Sequence, residues 1–185
     1  MRIAVYSGSF NPLHIGHLAI LRLLVERYDG VYLIVSPQNP FKDASGNATA
    51  ADRVRSAREA VARHPELAGK VRVDDIELGM EPPHYTVRTL RTLREREPEN
   101  EFTLAIGADN LESMPRWREH EVILREFGVT VFPRKGYHRG RLKARLLRED
   151  PSYRIELLRA PLVTISSTEI REALASGRDA SRWLM

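Results

Sequence analysis

The sequence predicts an α/β fold in which helices cover both faces of a doubly wound parallel sheet. Three observations indicate this fold. Short apolar runs rich in β-branched residues alternate with helix-periodic runs along the chain of 185 residues. These apolar runs carry few charges, as strands buried on both faces do, and the links between runs are short. With 42% hydrophobic and 29% charged residues, the composition is that of an ordinary globular chain.

The predicted elements follow from these runs in order. Strands are predicted at 3–6, 31–35, 71–73, 102–106, 129–132 and 154–158. Helices are predicted at 16–28, 49–63, 85–97, 119–127, 139–148 and 167–176. Thr49 with Asp52 and Ser166 with Glu169 fit the capping pattern of helix starts, and Gly177 fits a helix stop. Ligands of such a sheet bind at the carboxyl ends of its strands, so we expect the site there.

No linker divides the chain, and we expect one domain over residues 1–185. The apolar stretch at 18–25 is too short to cross a membrane and is interrupted by Arg22, so neither a membrane span nor a signal peptide is predicted. The sequence has no cysteine, which excludes disulfides, thiolate metal sites and a cysteine nucleophile. Together these features predict a cytoplasmic protein without a membrane partner.

The basic charge is concentrated in one stretch. The chain has 29 Lys and Arg against 25 Asp and Glu, which gives a formal net charge of +4. Residues 134–148 hold seven basic residues and no acidic one, so the rest of the chain is slightly acidic. Because Leu142, Leu146 and Leu147 recur along the predicted helix, we interpret its basic face as a solvated or subunit-facing surface. A nucleic-acid partner is therefore not predicted. The sequence leaves open whether the protein forms a homo-oligomer.

The turn after the first predicted strand has the features of a phosphate site. Gly8 and Ser9 allow close backbone approach, and the following helix directs unpaired N–H groups at the same crevice. His14 and His17 are three residues apart, so both project from one side of the first helical turn. Neither a G-x-G-x-x-G fingerprint nor a P-loop is present. Two alternatives are an ordinary turn with incidental histidines and a metal pair, for which no third ligand lies nearby in sequence.

A second candidate phosphate site lies in the C-terminal part, residues 160–185. Ser166, Ser167 and Thr168 supply amide and hydroxyl donors at a predicted helix start, and Arg171 lies one turn later. This arrangement suits the β- and γ-phosphates of a nucleotide. The alternative is a plain helix cap beside a surface arginine.

Two segments of the chain resemble the motifs of an enzyme superfamily. Residues 8–17, GSFNPLHIGH, resemble the signature of the H-x-G-H nucleotidyltransferases, in the form found in their nicotinate-mononucleotide adenylyltransferase branch. Residues 165–171, ISSTEIR, resemble the second motif of the superfamily. Further matches to this branch lie at 36–42, 85–87, 106–111, 117 and 132–135, so the resemblance covers about the whole chain. Residues 179–184 depart from the C-terminal segment that is common in this branch.

The resemblance implies a Rossmann-like nucleotidyltransferase fold and adenylyl transfer from ATP to nicotinate mononucleotide in NAD biosynthesis, with Mg²⁺ held through the ATP phosphates and not by side chains. The implied catalytic residues are His14, His17 and Arg171. The implied ATP-binding residues are Gly8, Ser9, Phe10, His17, Lys42, Ile106, Gly107, Ser166, Ser167, Thr168 and Arg171. The implied substrate-binding residues are Asn11, Asn39, Tyr85, Thr86, Asp109, Trp117 and Arg134.

Several of these residues also have a physical argument and an alternative of their own. Tyr85 and Thr86 follow two prolines, so their N–H groups open a helix and suit the carboxylate that the resemblance places there. Trp117 suits stacking on a pyridinium ring or packing in the core. Asp109 suits a ribose hydroxyl, a water bound to Mg²⁺ or a helix cap. Lys42 is suited to binding the ATP phosphates, and the alternative is an ordinary surface lysine.

Two kinds of rival function follow from the same residues. One is adenylyl transfer to a different phosphate, such as nicotinamide mononucleotide or phosphopantetheine. The other is a nucleotide- or nucleic-acid-binding module without chemistry, for which binding would be steeply salt-dependent and insensitive to loss of His17. The paired histidines favour an enzyme, because binding alone does not require two imidazoles beside a phosphate.

Overall fold

Six parallel strands of the described residues form a sheet in the order β3-β2-β1-β4-β5-β6. The structure is a computed structural model and describes residues 1–37, 48–162 and 164–185. The strands are β1 Arg2–Gly8, β2 Gly30–Val35, β3 Val71–Asp74, β4 Glu101–Gly107, β5 Val129–Phe132 and β6 Ile155–Leu157. All six lie where the apolar runs predict them, with ends that differ by up to two residues.

The helices connect the strands in sequence order. They are α1 Ile15–Arg27, α2 Ala50–Ala62, α3 Thr86–Arg96, α4 Ala108–Ser113, α5 His120–Val122, α6 Arg139–Glu149 and α7 Ser167–Ala175. After α5 the chain continues in a wider π-helical turn over Ile123–Phe127. Helix α4 was not among the predicted helices. It is six residues long and no side chain caps its start at Gly107, so it lacks the sequence signature of a helix start.

Two hydrophobic layers enclose the sheet. One contains α1 and α2, whose residues Leu21 and Val54 pack with Leu33 of β2. The other contains the helices from α3 to α6, with Leu90 and Leu146 among its buried residues. Alternate residues of each central strand therefore face different layers, and all six residues of β2 are buried. The sheet is doubly wound, as the sequence predicts.

The sheet brings the candidate residues to one edge. Strand β1 pairs with β2 on one side and with β4 on the other. The crossover helices lie on opposite layers to either side of β1, so the chain reverses its winding there and leaves a crevice at the carboxyl ends. Gly8 pairs with Val35 and Gly107 pairs with Phe132, which places the ends of β1, β2, β4 and β5 at this crevice.

The predicted helix termini are confirmed. The Thr49 hydroxyl accepts from the Asp52 N–H, and Ser166 and Glu169 form a reciprocal capping box at α7. Gly177 has a φ of +71° and ends α7, where its N–H donates to the Leu174 carbonyl. In the part of the chain that the structure describes, no helix is both long enough and apolar enough to cross a membrane.

We expect Leu21→Ala to destabilise the fold by about 2–5 kcal/mol, because Leu21 of α1 is fully buried and its loss leaves a cavity beneath the sheet. Urea unfolding followed by circular dichroism measures the change. Leu174→Ala is the matched control: this side chain is 51% exposed, and the expected change is within about 0.5 kcal/mol. Equal losses in the two variants would contradict the assignment of the α1 layer as core.

Candidate active site

The turn between β1 and α1 has a constrained backbone. Phe10 has a φ of +45°, a left-handed conformation that costs a residue with a side chain about 1–3 kcal/mol. Phe10 is 5% exposed, and its ring lies over Gly8, where a Cβ atom would come 3.1 Å from the ring. A side chain at Gly8 would therefore press on the Phe10 ring and narrow the approach to the crevice.

The two histidines of the first turn cap α1 reciprocally. His14 is the N-cap residue, and its Nδ1 accepts from the Gly16 N–H at 3.0 Å. His17 Nδ1 accepts from the His14 N–H at 3.1 Å. Because an accepting Nδ1 carries no proton, each neutral ring holds its proton on Nε2. The rings stack with their centroids 3.7 Å apart, so two Nε2–H donors are held side by side.

The environment keeps both rings neutral. Burial, followed by the charge of Arg134, lowers the pKa of His14 to about 4. Burial is also the main cause that lowers the pKa of His17 well below its usual range, with His14 and Arg134 adding to it. A neutral ring with its proton on Nε2 is a hydrogen-bond donor and not a metal ligand. No group of three His, Cys, Asp or Glu suited to a metal occurs among the described residues.

The second motif packs directly on the first. Arg171 of α7 donates from Nη1 to the Asn11 carbonyl at 2.6 Å, and the Ser167 hydroxyl donates to the Pro12 carbonyl at 3.0 Å. Nη2 of Arg171 donates to the Thr168 hydroxyl at 3.2 Å. The start of α7, with its positive dipole end, therefore lies against the first turn. The structure brings together the two predicted phosphate segments, which are about 155 residues apart in sequence.

Some of the predicted donors of α7 already have partners. The Glu169 carboxylate accepts from the Ser166 N–H at 2.8 Å and from the Ser166 hydroxyl at 2.7 Å. These hydrogen bonds lower the pKa of Glu169. A phosphate at this helix start would meet the N–H groups of Ser167 and Thr168 first, and would have to displace Glu169 to reach those of Ser166.

A cavity of about 600 Å³ lies beside this helix start, and its lining includes Asp109, Arg134, Tyr137, Ser166, Glu169 and Trp183. Arg134 Nε lies 3.6 Å from Asp109 Oδ1. This oxygen is buried and accepts no hydrogen bond from the described residues. Asp109 lies in the first turn of α4 but is not its N-cap residue, which is Gly107. The helix-cap alternative for Asp109 is therefore wrong.

Sequence reasoning missed several lining residues of this cavity, among them Tyr137, Glu169 and Trp183. Tyr137 follows the matched segment 132–135 closely, and Glu169 lies inside the second motif, so their positions gave a signal. Trp183 gave none, because it reaches the cavity through the packing of the small cluster formed by Ile170, Ala173 and Ala180. A position in the sequence does not show which distant helix a side chain will pack against.

Three of the predicted substrate-binding residues, Tyr85, Thr86 and Trp117, do not line this cavity. Tyr85 is the N-cap of α3 and its N–H donates to the Pro83 carbonyl at 3.1 Å, so the Thr86 N–H is the one left for a carboxylate. Trp117 is partly buried against the core, and its indole N–H donates to the Ser113 hydroxyl at 3.3 Å. The next residue, Arg118, lies over the Tyr85 ring, which places Trp117 and the start of α3 near each other.

Of four further predicted residues, the structure describes Ile106 and Gly107 but not Asn39 and Lys42. Ile106 is 4% exposed and packs in the core, so at most its backbone faces the crevice. A Cβ at Gly107 would come 2.5 Å from Asp109 Oδ1 and 2.9 Å from Arg134 Nε, so a larger residue would force these two side chains to move. Asn39 and Lys42 lie outside the described residues.

The sequence of this chain matches those of known proteins over most of its length. A sequence model described as cytidylyltransferase-like matches residues 5–173. A protein of Cytophaga hutchinsonii is 39% identical over 92% of this chain and 84% of its own length. One of Bacteroides fragilis is 38% identical over 99% of this chain and 87% of its own. Both are named "probable nicotinate-nucleotide adenylyltransferase". The chain belongs to the nicotinate-nucleotide adenylyltransferase family.

A solved structure shares the fold. The Plasmodium falciparum nicotinic acid mononucleotide adenylyltransferase superposes with a TM-score of 0.78 at 19% identity, over 99% of this chain and 90% of that one. The shared fold confirms the prediction of a Rossmann-like nucleotidyltransferase fold. The curated relatives confirm the prediction of an adenylyltransferase. The roles of individual residues in this adenylyltransferase stay predictions.

The neutral histidines predict that the stability of this adenylyltransferase falls at acid pH. An unfolded histidine has a pKa of about 6.5, whereas that of folded His14 is about 4. Between these values the unfolded chain binds a proton that the folded chain excludes, so the free energy of unfolding decreases as the pH falls from about 6.5 to about 4.

Urea titrations across this pH range measure the decrease. His14→Asn is the comparison variant, since asparagine keeps a capping oxygen at the start of α1 and does not titrate. The variant should lose less stability than the wild type over the same interval. An identical pH dependence of the two proteins would contradict the neutral state of His14.

Proposed function

We propose that this chain transfers the adenylyl group of ATP to nicotinate mononucleotide, forming nicotinate adenine dinucleotide and pyrophosphate in NAD biosynthesis. The observation that carries the proposal is the contact of Arg171 with the Asn11 carbonyl, which sets a cationic helix start beside two imidazole donors. The names of the curated relatives support the same reaction. The Plasmodium falciparum enzyme of this fold was solved in complex with NaAD, which supports the product.

The reaction needs no side chain as nucleophile. A phosphate oxygen of nicotinate mononucleotide forms a bond to the α-phosphorus of ATP, and the bond from that phosphorus to the oxygen bridging to the β-phosphate breaks. The attacking group is already an anion, so no proton has to be removed from it. Catalysis then consists of alignment and of stabilising the charge on the non-bridging oxygens.

The histidines supply donors for that charge. We propose that the His17 Nε2–H donates to a non-bridging oxygen of the α-phosphate. The stacked His14 would orient His17 and donate a second hydrogen bond. Because both rings are held neutral, they donate hydrogen bonds without transferring a proton. A fixed donor in a buried site stabilises developing charge more than water does, since it needs no reorientation during the reaction.

The departing pyrophosphate would be held at α7. Arg171, together with the N–H groups of Ser167 and Thr168, faces the crevice, and Lys42 is proposed to add a charge from outside the described residues. Arg134 adds positive charge from the end of β5. When bound, Mg²⁺ would neutralise phosphate charge. The buried Asp109 oxygen that accepts no hydrogen bond from the described residues fits a water of the hydrated ion or a ribose hydroxyl.

The start of α3 suits a carboxylate acceptor. No side chain caps this helix, so the Thr86 N–H and the positive helix end favour nicotinate, whereas the NH₂ of a nicotinamide would place donor against donor. Trp117 lies near this helix start and is proposed to stack on the pyridinium ring. The Tyr85 N–H is proposed as a second donor to the carboxylate, for which its hydrogen bond to the Pro83 carbonyl has to break.

Composition and the exposed face of α6 bear on the location and partners of the enzyme. A cytoplasmic location agrees with the absence of cysteine. On α6 the predicted apolar positions Leu142 and Leu146 are buried, while Arg141, Arg145 and Arg148 are exposed. This face fits solvent or a second subunit, and it does not adjoin the cavity through these residues.

The acceptor is tested by measuring pyrophosphate release and product mass with ATP, Mg²⁺ and a panel of phosphates. We expect kcat/KM for nicotinate mononucleotide to exceed that for nicotinamide mononucleotide by at least about tenfold, the effect of one mismatched polar group in a pocket. Phosphopantetheine should give no product. Equal rates with the two pyridine nucleotides would defeat the carboxylate argument for α3.

The role of His17 is tested by substitution. His17→Ala should lower kcat about 10²- to 10³-fold with a smaller change in KM, because a donor used in the transition state is lost. His64→Ala is the control, since His64 lies beyond the end of α2 and outside the proposed machinery. Near-native turnover of His17→Ala in a steady-state assay would exclude this assignment.

A further inference from the structure

A buried arginine beside the first turn has no part in the mechanism described so far. Arg53 of α2 is 4% exposed, and its Nη1 donates to the Ser9 carbonyl at 2.7 Å and to the Ser36 carbonyl at 2.8 Å. No carboxylate among the described residues pairs with it. Desolvation lowers the pKa of its guanidinium. A buried cation bound to two backbone carbonyls is costly to place, so its position calls for a reason.

The two carbonyls that Arg53 holds belong to adjacent strand ends. Ser9 follows β1 and Ser36 follows β2. The same two ends are joined by the Ser36 N–H, which donates to the Gly8 carbonyl at 2.9 Å, and by the Ser7 and Ser36 hydroxyls at 3.0 Å. Arg53 therefore ties the strand ends together at the crevice where ATP is proposed to bind.

The bond to the Ser9 carbonyl also sets the direction of an N–H group. The peptide bond between Ser9 and Phe10 is trans and planar, so its N–H points opposite to its C=O. With the carbonyl directed at Arg53, the Phe10 N–H is directed away from it. No described residue accepts a hydrogen bond from this N–H. Phe10 is in the left-handed conformation, which persists only when its surroundings hold it.

We propose that Arg53 is a positioning residue for ATP: by holding the Ser9 carbonyl, it keeps Phe10 in its left-handed turn and the Phe10 N–H aimed at the ATP phosphates. The inference rests on the proposed function in that it takes ATP as the ligand of this crevice. Both hydrogen bonds come from Nη1 of Arg53, whose two N–H groups serve both carbonyls at once. Its charge adds positive potential beneath the phosphates.

Two substitutions separate the geometry from the charge. Arg53→Met keeps the length of the side chain and removes both hydrogen bonds and the charge. Arg53→Lys keeps the charge, but its shorter side chain does not place an N–H donor where Nη1 of Arg53 lies. Arg58→Met is the matched control, because Arg58 lies on the same helix, is exposed, and makes only a 3.4 Å contact with Asp75.

Calorimetry of ATP binding without any acceptor is the first measurement. We expect Arg53→Met to weaken ATP binding at least about tenfold, the effect of misplacing one donor to a charged group. Arg53→Lys should recover only part of this loss, and Arg58→Met should bind as the wild type does. In ¹⁵N-labelled protein, the Phe10 amide signal should move on addition of ATP in the wild type and move less in Arg53→Lys.

Steady-state kinetics give the second measurement. The proposal expects Arg53→Lys to raise KM for ATP and lower kcat while KM for nicotinate mononucleotide changes less than about threefold. The proposal is overturned if Arg53→Lys binds ATP within about twofold of the wild type. It is also overturned if KM rises equally for both substrates and the melting temperature falls, which would indicate a general scaffold role. If Arg53→Met does not fold, Arg53→Lys decides alone.

The inference and the proposed function fail in different ways. A wild-type protein that binds ATP but transfers nothing to nicotinate mononucleotide contradicts the function, and the ATP affinities still test Arg53. Normal turnover without an ATP-specific defect in Arg53→Lys contradicts the role of Arg53 alone. A wild-type protein that binds no ATP contradicts both.

Discussion

The contact between the start of α7 and the first turn is the constraint on which the site depends. Arg171 and Ser167 donate to the carbonyls of Asn11 and Pro12, joining the two ends of the chain. Each segment alone is an ordinary helix start, of a kind common in proteins. Together they form one crevice with two positive helix ends and a cation, in which a polyphosphate can be held along its length. The contact itself is made to backbone carbonyls, so it does not depend on the side chains of Asn11 and Pro12.

The same hydrogen bonds serve folding and chemistry at the histidines. His14 and His17 accept from backbone N–H groups at the start of α1 and so satisfy donors that every helix leaves unpaired. By accepting at Nδ1 they also leave the proton on Nε2, which is the form that can donate to a phosphate. Burial keeps this form at neutral pH. The cap that starts the helix therefore also prepares the donors, and a change at either ring affects both.

Arginine has two uses in this chain that composition does not separate. Arg134 lines the cavity and Arg171 lies on α7 against the first turn, and the charge of both is proposed to act on phosphates. Arg53 and Arg139 are turned inward and donate to backbone carbonyls near strand ends. Arg139 belongs to the basic stretch 134–148, so part of that stretch is structural and not a surface for a partner. An excess of arginine therefore indicates neither nucleic acid nor phosphate until the partners of each side chain are known.

The sequence by itself determined the strands, most helices and the two phosphate motifs, because periodicity, capping residues and motif spacing are local properties. It could not separate core from site at Trp117, or cap from ligand group at Asp109, because those outcomes depend on distant neighbours. Helix α4 is too short to show a local signature. Only the tertiary structure decided that Arg171 meets the Asn11 carbonyl and that Arg53 holds the first turn. The physical reason is that a hydrogen bond forms where two groups meet in space, and sequence separation does not record such meetings.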